Sequence, residues 1–189
     1  DVLVTVVGTG TTADFTNIPM LQSFLQRLLD ENLELEQLVI LEGKAAYRLV
    51  VTISLLDVAG SVIDVCVAAA SAALLDTRLP TKPLIEDGIV YTSESEGMKP
   101  FVMPVVPCAL SAVGTSLNKA FYWIVDPDAD EELTQQSSTT ITVDAVQEDN
   151  VLALDFSGDV GDLEFMMQLA RQHAIEIYRI VRKPNVGNS

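Results

Sequence analysis

Apolar positions along the chain change period repeatedly, and each change marks an element. Val2 to Val7 is a short β-branched run and predicts a strand that needs a sheet neighbour. Gly8 to Thr16 is rich in Gly and Thr and reads as a loop. Ile18, Leu21, Leu25, Leu28 and Leu29 then recur at helical spacing, which predicts a helix over Ile18 to Asp30 with Asn17 as its cap. Leu38 to Leu41 reads as a short strand turned at Glu42-Gly43-Lys44. From Tyr47 to Leu55 every second residue is Tyr, Leu, Val, Ile or Leu, the pattern of a half-buried strand. Val62 to Leu75 is apolar nearly all round and rich in Ala, which predicts a buried helix.

Thr81 to Pro100 is polar and broken by Pro and Gly, a long loop with one strand at Ile89 to Thr92. Pro107 to Val113, Ala120 to Val125 and Ser138 to Val143 predict three strands of a meander. Val151 to Phe156 adds a fourth after the acidic turn Gln147 to Asn150. Leu163, Met166, Met167, Ala170, Ala174 and Ile177 mark one face of a long last helix, from Val160 to about Lys183. The order is strand, helix, strands, helix, four strands, helix. It makes the fold class α/β or α+β, a mixed β-sheet with helices packed on it.

Composition narrows the function. Of 189 residues, 49% are apolar and 20% charged, which excludes a disordered acidic tail and suits one domain, or two small ones, with a sizeable core. The longest apolar stretches, such as Val65 to Leu75, are too short to span a bilayer, and no membrane role is expected. The formal net charge is −16, so the chain does not coat nucleic acid by bulk charge; a local basic groove stays open. Cys66 and Cys108 sit in apolar surroundings and read as reduced core thiols. With His173 the only histidine, a structural zinc site is not expected, nor any cofactor.

The densest polar cluster is Asp126-Pro127-Asp128-Ala129-Asp130-Glu131-Glu132. Clustered carboxylates bind Mg²⁺ or supply a general acid, but a solvated turn after a strand is the plainer reading. Gly8-Thr9-Gly10-Thr11-Thr12 lacks the Gly-Lys-Ser/Thr ending of a phosphate-cradling loop. His173 reads as a helix-flank residue. The run Ser137-Ser138-Thr139-Thr140 fits a strand edge better than a nucleophile.

An ordered set of phrases goes further. Leu33-Glu34-Leu35-Glu36-Gln37-Leu38 precedes Glu42-Gly43-Lys44 and the alternating strand. Gly60-Ser61-Val62-Ile63-Asp64 follows, then the Ala-rich helix closing with Asp76-Thr77-Arg78-Leu79-Pro80. Last comes Ile124-Val125-Asp126-Pro127 with Glu131 and Glu132. This order resembles the RNase PH family, the ring subunits of the RNA exosome, and its non-catalytic members most. The likeness runs from Pro19 to Lys183. It implies an RNase PH-like fold of the ribosomal protein S5 domain 2-like type, a single domain over residues 1–189 lacking part of the family's N-terminal hairpins.

Active members of that family cut RNA from its 3′ end by phosphorolysis. They carry Arg-x-Leu-Arg where this chain reads Arg27-Leu28-Leu29-Asp30, so Asp30 replaces an arginine that contacts phosphate. They carry Gly-Gly-Thr-Arg where this chain reads Ala59-Gly60-Ser61-Val62, so Val62 replaces a second arginine. Asp126 matches the first acidic position, and Glu132 falls where active members place the catalytic Asp. The resemblance therefore implies a catalytically silent ring subunit, in the nucleus (nucleolus) and cytoplasm. Its implied partners are related ring subunits, cap subunits and single-stranded RNA. Arg27, Arg78 and Lys82 are the candidate RNA contacts. The rival readings are an active phosphate-dependent exoribonuclease and an unrelated α/β interaction domain.

Overall fold

The first strand, β1 (Val2–Gly8), buries Val2, Val4 and Val6 and pairs in parallel with β4 (Leu49–Leu55), Val2 opposite Leu49. The neighbour that β1 needs is thus supplied by the chain itself. Between them, helix α1 (Ile18–Asn32) packs on β1 through Leu21, Leu25, Leu28 and Leu29. A 3-10 turn at Leu35–Leu38 then leads into the hairpin of β2 (Val39–Leu41) and β3 (Ala45–Ala46), turned at Gly43. This computed structural model describes residues 2–8, 18–81, 83–86, 89–92, 97–117, 120–147, 149–158 and 162–182. The Gly-Thr loop after Gly8, the Asn17 cap, Lys82, Val160 and Lys183 lie outside the described residues.

Helix α2 (Val62–Asp76) buries one face, Asp64, Cys66, Val67, Ala70, Ser71 and Leu74, and leaves Val65, Ala69 and Ala73 exposed, so it is not buried all round as its composition predicts. Small side chains let it approach a sheet closely: Ser71 donates to the Pro107 carbonyl at 2.8 Å, beside buried Cys66, Val67 and Ala70. The polar stretch that follows is not one loop. Strands β5 (Arg78–Pro80) and β8 (Met98–Pro100) pair antiparallel, and between them β6 (Leu84–Glu86) pairs with β7 (Ile89–Tyr91). Each is three residues long, too short to show a period.

The main sheet holds β9 (Pro107–Leu117), β10 (Ala120–Val125), β11 (Ser137–Asp144) and β12 (Val151–Ser157), all antiparallel neighbours. Its order is β10-β9-β11-β12, not a meander. β10 and β11 flank β9 and run the same way, so their link must cross β9 rather than turn as a hairpin. That link contains a short helix, α3 (Ala129–Leu133). On β9, Gly114 lies opposite Trp123 on one side and Ser137 on the other, and a Cβ there would run into the Phe121 ring. The last helix, α4 (Leu163–Val181), is capped by Asp162 and lies on β9, β11 and α2 through Met166, Ala170 and Ala174. Parallel and antiparallel pairings both occur, as the mixed element order predicts, divided between separate ladders.

Candidate functional site

Three segments meet at the start of α2. The first is the turn Ala59-Gly60-Ser61. Gly60 has φ +115° and Ser61 φ 46°, so two successive residues take left-handed backbone. A Cβ on Gly60 would collide with the Pro127 carbonyl oxygen and the Asp128 backbone. The second segment, Asp126 to Glu132, lies directly against this turn. Ala129 N–H donates to the Ala59 carbonyl at 2.9 Å, and Ser61 Oγ donates to the Pro127 carbonyl at 3.1 Å. Ser61 N–H donates to Glu132 Oε1 at 2.9 Å, across 71 residues of sequence.

Three carboxylates of this segment, those of Asp128, Glu131 and Glu132, are engaged. Asp128 Oδ1 accepts from Glu131 N–H at 2.8 Å, and Glu131 Oε2 accepts from Asp128 N–H at 2.9 Å, a capping box that starts α3. The sequence pattern Asp-x-x-Glu was the signal for this helix, within what reads as a plain acidic turn. Among the described residues no group of His, Cys, Asp and Glu is arranged to hold a metal ion.

The third segment is the middle of β9. Asp64, buried in the first turn of α2, takes Ser111 N–H at 2.6 Å on Oδ2 and Ser111 Oγ–H at 2.7 Å on Oδ1. Ser111 Oγ lies 3.0 Å from Thr140 Oγ1 on β11. Burial pushes the Asp64 carboxyl above its ordinary 3.8; the Ser111 bonds and the His173 charge pull against that rise, and the Asp126 charge adds to it. His173 thus lies close enough to Asp64 to be felt, on the flank of α4. Asp126 itself has φ 54° and donates its N–H to the Ser111 carbonyl at 3.0 Å. The single signal for this network in the sequence is one aspartate in the first turn of a largely apolar helix. Burial also pushes the Cys66 thiol up to about 11 and, with the Asp64 charge second, the Cys108 thiol to about 12. Both thiols are free, as their setting suggests.

Val62, Asp126 and Glu132 are brought together at this corner. Val62 packs its side chain against the hydrophobic core. Asp30 is elsewhere, on α1, where it accepts from Gln26 Nε2 at 2.8 Å. Arg27 lies one turn earlier, in a cleft with Phe24, Glu31 and Leu154. Arg78 is exposed at the start of β5, opposite Pro100. Among the described residues nothing bridges Arg27 to Arg78. Among them, too, no helix is long and apolar enough to cross a membrane.

Residues 9–80 match the model of the 3′ exoribonuclease family, domain 1. The exosome complex component Rrp42 of Sulfurisphaera tokodaii is 28% identical over 170 residues, 84% of this chain and 59% of that protein. Rrp42 of Pyrococcus abyssi is 34% identical over 113 residues, 59% of this chain and 39% of that protein. The chain thus spans less than two thirds of the length of these relatives. Among solved structures, an archaeal exosome core superposes with a TM-score of 0.70 at 23% identity, over 96% of this chain and 69% of that one. An Archaeoglobus fulgidus exosome with RNA bound to the active site superposes with a TM-score of 0.69 at 22% identity, over 94% and 71%. The chain thus shares the fold of these exosome core proteins, and its residues 9–80 are similar in sequence to domain 1 of the 3′ exoribonuclease family.

Proposed function

We propose that this chain is a phosphorolytically silent component of an exosome-type ring, which with related subunits and cap subunits forms a channel for single-stranded RNA. The observation that carries the silent reading is the Glu132 carboxylate on the Ser61 N–H at the start of α2. A helix start with free N–H groups attracts phosphate. Here a protein carboxylate is seated there, and a phosphate in its place would face like charge. The two residues at the family's cation positions are also committed: Val62 to the core and Asp30 to Gln26. A phosphorolytic site must hold inorganic phosphate with cations while it attacks the terminal phosphodiester. None of these groups does that.

The test is an assay of the purified chain on single-stranded RNA with phosphate and Mg²⁺. No nucleoside diphosphate is expected. Phosphate-dependent release that Glu132→Ala abolishes would overturn the reading. The ring role is tested separately, by recovering the tagged chain from its source and identifying its partners by mass. Related RNase PH-like subunits are expected; their absence would remove that role without touching the first result.

A further inference from the structure

The outer edge of β1 is closed by side chains rather than by a strand. β1 reads Val-Leu-Val-Thr-Val-Val-Gly, with no charge and no proline, the composition of a strand that pairs readily with another copy. Its inner edge belongs to β4. On its outer edge, Val4 N–H donates to Gln26 Oε1 at 2.8 Å, and Gln26 Nε2 donates back to the Val2 carbonyl at 2.9 Å. The Gln26 amide thus makes the paired donor-and-acceptor contact that a neighbouring strand would make. Val6 N–H donates to Gln22 Oε1 at 3.3 Å. Gln22 and Gln26 are one helical turn apart on α1, so both point along the same strand.

Asp30 continues that row, one further turn on, and accepts the second Gln26 N–H at 2.8 Å. A carboxylate only accepts, so it holds the NH₂ end of the amide toward itself and leaves Oε1 aimed at Val4. An open groove of about 410 Å³ runs beside this edge, lined by Leu3, Val4, Gln22, Gln26, Asp30 and Glu31.

We propose that Gln22 and Gln26, oriented by Asp30, are a built-in stopper that keeps a second copy of this chain from adding its own β1 to this edge. The full chain carrying Gln22→Met and Gln26→Met keeps the side-chain stems and loses the bonds. Its Val4 and Val6 amides are expected to exchange with deuterium at least tenfold faster than in the parent. Its sedimentation coefficient is expected to rise with concentration more steeply than the parent's. Unchanged exchange would overturn the closure, and faster exchange without added self-association would overturn the stopper. Should the double variant fail to fold, Asp30→Ala decides alone. Faster exchange at Val4 but not at Val6 is expected; equal exchange at both, as in the parent, would overturn the role of Asp30.

Discussion

Asp64 is buried with both carboxylate oxygens bonded to Ser111, and burial still raises its pKa above 3.8. The native chain therefore holds that proton more tightly than the unfolded chain does. Between 3.8 and the raised native value the folded state binds more protons, so this group makes stability fall as pH rises through that window. Asp64→Asn removes the titration. Its urea midpoint is expected to fall less than the parent's from about pH 4 upward. Parallel profiles for the two proteins would count against the assignment. The sequence marks Asp64 as one polar residue in an apolar helix. It carries no sign of Ser111 as its partner, because contacts between distant residues leave no local period.

At the scale of elements, the corner between the Ala59-Gly60-Ser61 turn and α3 is held by close backbone approach. Gly60 sits at φ +115° with the Pro127 carbonyl oxygen where a Cβ would be. Gly60→Ala is expected to destabilise the fold by more than about 1 kcal/mol, read as a lower urea midpoint at an unchanged slope. A midpoint equal to the parent's would show that the corner yields freely. The long elements here are legible in the sequence. The leucines of α1, the stripe of α4 and the alternation of β4 each bury the face that their period marks, whereas the Ala-rich run marks α2 as a helix without marking which face it buries. The three-residue hairpin strands are not legible, since backbone pairing and not side-chain pattern makes them. The placement of β11 beside β9 is hidden as well, because the sequence order of strands favours a meander. Among the candidate site residues, Val62, Asp126 and Glu132 lie at one corner, whereas Arg27 and Arg78 sit on separate elements.

For the whole molecule, a net charge of −16 repels a polyanion at long range. Any RNA binding must come from a small cationic patch and be sensitive to salt. Arg78 is exposed at the head of β5 with Lys99 across the same hairpin, and Lys82 follows in sequence. The isolated chain is expected to bind single-stranded RNA weakly, with binding lost as salt rises. In an assembled ring, Arg78→Glu with Lys82→Glu is expected to weaken RNA binding while the ring persists. Unchanged binding by an intact variant ring would make these ordinary surface cations.

The parallel pairing of β1 with β4 also has a consequence in time. During synthesis β1 emerges before β4, and the strand that completes it, opposite Val2 at Leu49, comes only after α1 and the β2–β3 hairpin. A contact spanning so much chain forms late, because its loop must close before any bond rewards it. The antiparallel β9–β11–β12 ladder needs shorter closures. Val4→Ala is therefore expected to speed unfolding while leaving the folding rate nearly unchanged in stopped-flow measurements. A matching fall in the folding rate would mean that β1 docks early. Before β4 arrives, α1 can already offer β1 its leucines and its glutamines, which makes that helix an early guardian of the strand as well as its lasting cover.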